Sequence, residues 1–254
     1  MSVLPFVRGV DFSRNQFKVS LVPQKAYSEH PNSYYIINDC SLCNTDTAGP
    51  VSNKDGGEMS NLRWLRLNRS QLGSLPDEID QFQKLEVLTI AHNKMTALHS
   101  GNLPALSSLR VVSVSHNNLR DSGLPSELFT LKELHTLDMS YNNLTKIPDE
   151  LLKSKSLIVL DLSHNKVSTI PGALLIQLTG VEYFDLSHNE LQSLPPQLRR
   201  MEHLKHLNVA NNPLQHYAFK VLDKLTNLTS LNLSATGRDF TNLPHIDKLV
   251  NLTG

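Results

Sequence analysis

The feature that most constrains this chain is a spacing of apolar residues that recurs along most of its length. In residues 156–167, SLIVLDLSHNKV, the spacing has the form L-x-x-L-x-L-x-x-N-x-L. Leu160 and Leu162 alternate with smaller or polar residues, so the segment is expected to form a short strand that buries one face. Asn165 follows where the chain must turn away from that strand. One such unit cannot bury its leucine face alone, so successive units must stack on one another.

The polar residue that follows each strand marks the register of the repeat. This position is occupied by Asn15, Ser70, Asn93, Asn117, Asn142, Asn165, Asn189, Asn212 and Thr236. From Ser70 to Thr236 the successive steps are 23, 24, 25, 23, 24, 23 and 24 residues. Steps of roughly 20 to 29 residues with this pattern are typical of leucine-rich repeats. Because an amide can both donate to and accept from backbone groups, the asparagines are predicted to form a structural ladder.

We therefore predict an α/β fold, a leucine-rich-repeat solenoid. Its strands should form a curved parallel sheet on the concave face, with short helical or extended segments on the convex face. A proline directly after an inward apolar residue disfavours a helix immediately before it. This pair occurs at Leu75-Pro76, Leu124-Pro125, Ile147-Pro148, Ile170-Pro171, Leu194-Pro195 and Leu243-Pro244. Residues 217–225 lack the proline and are expected to form a longer helix.

The repeat divides the chain into three parts. Residues 1–17 hold the first leucine-rich repeat. The step from Asn15 to Ser70 is 55 residues, which indicates that residues 18–58, rich in Ser, Asn, Asp, Pro and Gly, are a poorly ordered loop insertion. Residues 59–254 hold the remaining repeats and stop without the polar terminal cap that solenoids need. The sequence is therefore expected to be a fragment of a longer protein.

Charge and hydropathy argue against several classes of protein. With 24 basic and 24 acidic side chains, the chain carries no net charge and lacks the basic stripe of a nucleic-acid-binding protein. No run approaches the roughly 18 to 20 apolar residues of a membrane helix, and the first residues lack the apolar core of a secretory signal. We predict a cytoplasmic protein, with a nuclear location also open. Glycosylation sequons begin at Asn68, Asn143, Asn227, Asn232 and Asn251 and are interpreted as accidental matches.

Two groups of metal-ligating residue types fall short of a complete site. Cys40 and Cys43 form a C-x-x-C pair, which is half of a zinc site or a redox pair, and only His30 lies near them in sequence. Four histidines precede the ladder asparagine, namely His92, His116, His164 and His188. A row of imidazoles suggests metal binding or a pH response, but Tyr141 interrupts it and the repeat consensus S-H-N explains it without function. We predict no metal, no cofactor and no catalytic site, because a nucleophile with a base and a phosphate-cradling glycine loop are also absent.

The residues that alternate with the buried leucines should line the concave face. The candidates for partner binding are Trp64, Arg66, Asp138, Asp161, Tyr183, Asp185, His206 and Asn208. Tryptophan and arginine are enriched at interface hot spots, although Trp64 could instead pack on Val87. The three aspartates occupy one position in three successive strands, where like charges repel unless a basic partner approaches. The alternative is that L-D-L-S is the common filling of this repeat and that the aspartates are exposed and hydrated.

Three segments carry a more specific resemblance. They are VLPFVRGVDFSRNQF at 3–17, MSNLRWLRLNRSQL at 59–72 and LPPQLRRMEHL at 194–204. These segments resemble the amino-terminal leucine-rich repeats of the flightless family, which are actin-binding members of the gelsolin superfamily. The resemblance covers residues 1–17 and 59–254, whereas residues 18–58 depart from the short convex segment of that family. It implies that downstream gelsolin-like modules, absent here, bind actin, and that the repeats recruit coiled-coil proteins and small-GTPase signalling components.

The expected function is that of a non-catalytic protein–protein interaction scaffold, the partner-recruiting part of an actin-cytoskeleton regulator. A regulatory module that tethers a phosphatase or a Ras-pathway enzyme is the first alternative, because a generic repeat would serve it equally well. An extracellular receptor ectodomain is the second, and it would require secretion and glycosylation.

Overall fold

Nine short strands form one parallel sheet in chain order. The computed structural model describes residues 9–11, 14, 62–75, 79–80, 82–98, 103–237 and 249–252. Within these ranges the strands are β1 Gly9–Asp11, β2 Trp64–Arg66, β3 Val87–Thr89, β4 Val111–Ser113, β5 Thr136–Asp138, β6 Val159–Asp161, β7 Tyr183–Asp185, β8 His206–Asn208 and β9 Ser230–Asn232. Each strand pairs with the next in an unchanged register, as Leu137 with Leu160 and Leu160 with Phe184. The predicted leucine-rich-repeat solenoid is confirmed.

The first two strands are neighbours in the sheet although they are far apart in sequence. Gly9 of β1 pairs with Trp64 of β2, and Asp11 pairs with Arg66. The predicted loop insertion at 18–58 lies outside the described residues, as do Asn15 and the C-x-x-C pair.

The return path on the convex face is built from short helical turns. One α-helix, α1, spans Gly172–Gln177, and 3₁₀ helices span Leu103–Ala105, Asp121–Gly123, Ser126–Thr130, Asp149–Lys153, Pro196–Arg200 and His216–Lys224. A proline immediately precedes the helix in four of the described repeats, at Pro125, Pro148, Pro171 and Pro195, which agrees with its preference for the start of a helical turn. The segment without proline forms the nine-residue helix His216–Lys224, as predicted. None of the helices in the described part of the chain has the length and apolarity needed to cross a bilayer.

One elongated apolar core runs between the sheet and the convex segments. The middle residue of each of β2 to β8 is buried, and the apolar residue two positions later is buried as well, as with Leu160 and Leu162. From the convex side the core is completed by Ile79, Phe82, Leu128, Leu131, Leu174, Leu178, Leu198 and Met201. Neighbouring repeats share this core, so each repeat depends on the next for burial of its leucines.

The ladder asparagines join the backbones of successive repeats. The Asn165 side-chain Nδ2 donates to the carbonyls of Leu162 (3.1 Å) and Ser163 (3.1 Å) in its own turn and to that of Met139 (3.0 Å) in the preceding repeat. Its Oδ1 accepts from the Leu144 N–H at 3.0 Å. Equivalent bonds are made by Asn93, Asn117, Asn142, Asn189 and Asn212. At the position of the ninth ladder residue, the Thr236 hydroxyl donates to the Leu233 carbonyl at 3.0 Å.

We expect Leu162→Ala to lower the free energy of unfolding by about 2 to 5 kcal/mol, because the leucine is fully buried and truncation leaves a cavity. Urea unfolding followed by circular dichroism measures the loss. Ile176→Ala is the matched control, since Ile176 lies on α1 with 49% of its surface exposed and should cost much less. Equal losses at the two sites would contradict the assigned inward face.

We expect Asn165→Ala to cost about 1 to 3 kcal/mol, because the substitution leaves buried backbone groups of two repeats without partners. The exposed neighbour Lys166 provides the control variant Lys166→Ala, measured in the same urea titration. A stability equal to that of the unmodified chain would show that the ladder bonds contribute nothing to the stacking of repeats.

Candidate protein-interaction surface

The concave face carries two rows of side chains, because alternate residues of each strand point away from the core. The first-position row is Trp64, Val87, Val111, Thr136, Val159, Tyr183, His206 and Ser230. The third-position row is Arg66, Thr89, Ser113, Asp138, Asp161, Asp185, Asn208 and Asn232. All eight residues proposed from the sequence for partner binding lie in these two rows.

At one end of the face, an aromatic and a basic side chain lie together. Trp64 is 38% exposed, and the Arg66 guanidinium lies 5.5 Å from the centroid of its ring. This distance is within the range of a cation–π contact. Trp64 is also the register partner of Val87 in the adjacent strand. The ring therefore has neighbours on the sheet and still presents more than a third of its surface to solvent.

Towards the other end, three carboxylates occupy adjacent strands. Asp138 pairs with Asp161 and Asp161 with Asp185 in the register of the sheet. The two outer carboxylates, those of Asp138 and Asp185, accept hydrogen bonds from neighbouring side chains. Asp138 Oδ2 accepts from the Ser113 hydroxyl at 2.7 Å, and Asp185 Oδ2 accepts from Asn208 Nδ2 at 2.8 Å. Asp185 is only 7% exposed, so the interpretation of these aspartates as exposed and hydrated is wrong for this residue.

The central carboxylate, Asp161, has a poorer environment. Its Oδ1 accepts from the Ser163 N–H at 2.9 Å, but it has a carboxylate on each side. Burial, together with the charges of Asp185 and Asp138, raises the pKa of Asp161 to about 6 against the opposing effect of the hydrogen bonds from Ser163. No Lys or Arg among the described residues forms an ion pair with the three aspartates. The described residues therefore leave the negative charge of this row without an ion-pair partner.

Two further rings border the carboxylates. The centroids of Tyr183 and His206 are 5.9 Å apart, with the ring planes tilted by 41°. The Tyr183 hydroxyl lies 3.4 Å from Asp185 Oδ2. Burial raises the pKa of Tyr183, and the nearby aspartates add to the shift, so the hydroxyl remains a donor. The acidic row and this aromatic pair form one continuous patch on β5 to β8.

The four histidines that precede the ladder asparagines belong to a third row, a stack of rings that we call the aromatic column. It consists of His92, His116, Tyr141, His164 and His188, whose adjacent ring centroids are 3.8 to 4.0 Å apart with interplanar angles of 11 to 13°. Tyr141 was interpreted as an interruption of the histidines, but it is the central ring of the stack. The signal was available, because a planar side chain precedes the ladder asparagine in five successive repeats. Within the part of the chain that the structure describes, no three potential ligands converge as a metal site.

We expect Asp161→Asn to raise the free energy of unfolding at neutral pH by about 1 to 3 kcal/mol, since the amide removes a charge that is half-buried between two others. The pKa of Asp161 is raised to about 6 in the fold, so the folded chain binds more protons than the unfolded chain above the ordinary value of 3.8. Stability from this group is therefore present below 3.8 and lost as pH rises through about 6. The gain from Asp161→Asn should disappear near pH 4.

Thermal unfolding of both chains between about pH 4 and 8 measures this difference. Asp149→Asn is the control, because Asp149 is exposed on the convex face and should shift stability by less than about 0.5 kcal/mol. A pH-independent effect of Asp161→Asn would contradict the raised pKa.

The repeats match a known family along most of the chain. The leucine rich repeat family matches residues 60–119, 132–191 and 179–237. Among curated proteins, the chain is 38% identical to the protein flightless-1 homolog of Caenorhabditis elegans over 98% of its own length, and 43% identical to that of Danio rerio over 99%. Both alignments cover 18% of the relative's length, and their span runs across residues 18–58 as well. The resemblance to the flightless family is confirmed.

A solved structure supports the same architecture. A leucine-rich-repeat protein of Leptospira interrogans superposes with a TM-score of 0.58 and 26% sequence identity, over 78% of this chain and 60% of that one. Fold, ladder and sequence similarity agree. The chain belongs to the leucine-rich-repeat family.

Proposed function

We propose that this chain is a non-catalytic protein-interaction module that docks a partner on its concave face. The observation that carries the proposal is the row of three adjacent carboxylates, Asp138, Asp161 and Asp185, for which the described residues supply no cation. Holding like charges side by side costs stability. The arrangement is offset when a partner brings positive charge to the row.

The patch on β5 to β8 favours one class of partner. A protein segment with Arg or Lys side chains would complement the carboxylates, and its apolar stems would contact Tyr183 and His206. The exposed Trp64 with Arg66 lies at the other end of the face and provides a second anchor. With a strand spacing of roughly 4.8 Å, the anchor on β2 lies about three strands, or about 14 Å, from the near edge of the patch and about six strands, or about 29 Å, from its far edge. The proposed partner is therefore an elongated basic segment, such as one face of a coiled coil.

The rigidity of the face supports this role. Each of the strands β2 to β8 is bonded to both neighbours, and the ladder asparagines fix the turns that follow the strands. A partner docking on such a sheet does not have to order it, which reduces the entropic cost of binding.

The relatives support a role for the module as one part of a longer protein. The chain spans about a fifth of the length of the flightless-1 homologues that it matches. We place it as the partner-recruiting part of an actin-cytoskeleton regulator, in the cytoplasm or nucleus, with coiled-coil or small-GTPase signalling proteins as partners. Actin contacts themselves are assigned to other parts of such a protein.

The proposal is tested by affinity capture from cytosolic extract with the isolated chain, followed by mass spectrometry. We expect Asp161→Lys to leave the circular dichroism spectrum unchanged and to reduce recovery of the specific partner at least about tenfold, because a like charge then meets the basic segment. Glu150→Lys introduces the same charge change on the exposed convex face and should leave recovery unchanged.

The identity of the captured protein separates the alternatives. A coiled-coil or small-GTPase partner lost on Asp161→Lys supports the proposal. A phosphatase catalytic subunit without cytoskeletal partners would instead make the chain a tether for that enzyme. Equal recovery with Asp161→Lys and Glu150→Lys would remove the concave face as the docking surface.

A further inference from the structure

The aromatic column is imposed by the backbone of the solenoid. Each of its residues adopts a left-handed conformation, with φ between 52° and 56°. Each also donates its backbone N–H to a carbonyl of the next repeat, as His92 to Ser115 at 3.0 Å and His164 to Ser187 at 2.9 Å. The rings are therefore brought into contact by the same bonds that stack the repeats. They can separate only by rotating about their own side-chain torsions.

The chemistry of the rungs divides the column into two pairs. His92 stacks on His116 at 4.0 Å, and His164 stacks on His188 at 3.8 Å. Tyr141, which carries no charge at neutral pH, lies between the pairs. One proton on a pair creates a cation against a neutral ring, which is a favourable contact. A second proton on the same pair puts two like charges within 4.0 Å of each other.

The charged groups around the aromatic column differ between its two ends: those near His92 disfavour a proton, whereas an acidic group near His164 favours one. Burial lowers the pKa of His92 most, and the charges of His116 and of Arg69, which precedes the column, lower it further. Burial and His188 lower the pKa of His164, whereas Asp185 on the adjoining face raises it; His116, on the other side of Tyr141, lowers it by a smaller amount. The remaining charged residues of these turns are Lys94, Lys166 and Glu190, each two positions after a rung. Among the described residues, Asp185 favours a proton on His164, and it lies towards the end of the column that holds His188.

The last ring of the column has a polar neighbour on one ring nitrogen. Asn211 Nδ2 lies 3.1 Å from His188 Nε2. An amide nitrogen only donates, so this contact is a hydrogen bond when Nε2 carries no proton. A proton on Nε2 would set two donors against each other, so this contact favours the unprotonated nitrogen.

We propose that the aromatic column is a proton-responsive clasp between repeats: it holds successive turns together while each histidine pair carries at most one proton, and it opens within a pair when both members are protonated. The clasp is separate from partner docking, because it concerns only contacts within the chain. Its effect is a loosening of the turns that border the concave face as the pH falls below neutral.

The sign of the stability change follows from the lowered pKa values. The fold favours neutral His92 and His164, so the folded chain binds fewer protons than the unfolded chain just below their ordinary value of 6.5. The contribution of the column is therefore complete above 6.5 and is lost as the pH falls through the lowered values. Asp161 acts in the opposite direction over part of this range, so the measurements use chains that carry Asp161→Asn.

The test follows the histidine ring protons by NMR during a pH titration, with His188→Asn as the variant. Asparagine tolerates the left-handed conformation, so the backbone is kept while the neighbouring charge is removed. We expect the midpoint of His164 to move up towards 6.5 in this variant. His92→Asn, which alters the other pair, should leave the His164 midpoint in place.

His203→Asn is the matched control, because this exposed histidine contacts the Thr179 carbonyl at 3.1 Å and lies outside the column. It should leave the His164 midpoint and the acid sensitivity of the fold unchanged. An unchanged His164 midpoint in His188→Asn would overturn the coupling within the pair.

Ring-current shifts in the NMR spectrum report the opening directly. Stacked rings shift one another's protons upfield, and we expect this upfield shift to disappear from His164 and His188 once both are protonated. Above that pH, the protons of Tyr141 should keep the upfield shift that its stacked neighbours cause. Rings that retain the stacked shifts at about pH 5, with all four histidines charged, would show that protonation does not open the column. Thermal melts measure the effect on the whole fold. The Tm of the double variant His92→Asn with His188→Asn should differ less between about pH 7.5 and 5.5 than the Tm of the chain without these two substitutions.

Discussion

The structure depends on the hydrogen bonds between one asparagine side chain and the backbones of two repeats. At Asn165 the amide makes three donations and one acceptance in a turn where peptide groups would otherwise be buried without partners. Buried backbone groups left unpaired are costly, so this single residue type determines where each strand ends and how closely the next repeat stacks. The leucine core adds most of the apolar burial, but it could not define the turn, because apolar contacts have no direction.

Because the repeats stack at a fixed distance, residues at the same position of successive repeats contact one another. Where the position before the ladder asparagine holds a planar ring in successive repeats, the rings stack and stabilise one another. Where the third residue of successive strands is aspartate, carboxylates meet and repel. The same geometry thus yields one attractive row and one repulsive row. Hydroxyl and amide groups donate hydrogen bonds to the carboxylates of the repulsive row, and the central Asp161 receives the fewest of them.

The sequence was most informative where chemistry repeats with a constant step. The strands, the convex turns after proline and the longer helix near residue 220 could be located from spacing alone. The sequence was less informative about contacts between side chains of neighbouring repeats. Tyr141 breaks the row of histidines as potential metal ligands, but its planar ring continues the stack. The burial of Asp185 was missed, since the exposure of a concave residue depends on neighbours such as Asn208 and Tyr183 that lie a strand away or two residues along the chain.

By itself the sequence determined the architecture, the inward face, the ladder and the set of side chains on the concave surface. These follow from local periodicity, which requires only that every unit repeat the same short strand and turn. Only the tertiary structure decided that five rings stack within 4.0 Å, that the pKa of Asp161 rises to about 6, and that Arg66 lies over Trp64. The physical reason is that ring stacking, desolvation and like-charge repulsion act over a few ångströms between residues about 24 positions apart. Their sign and size are set by how the repeats stack.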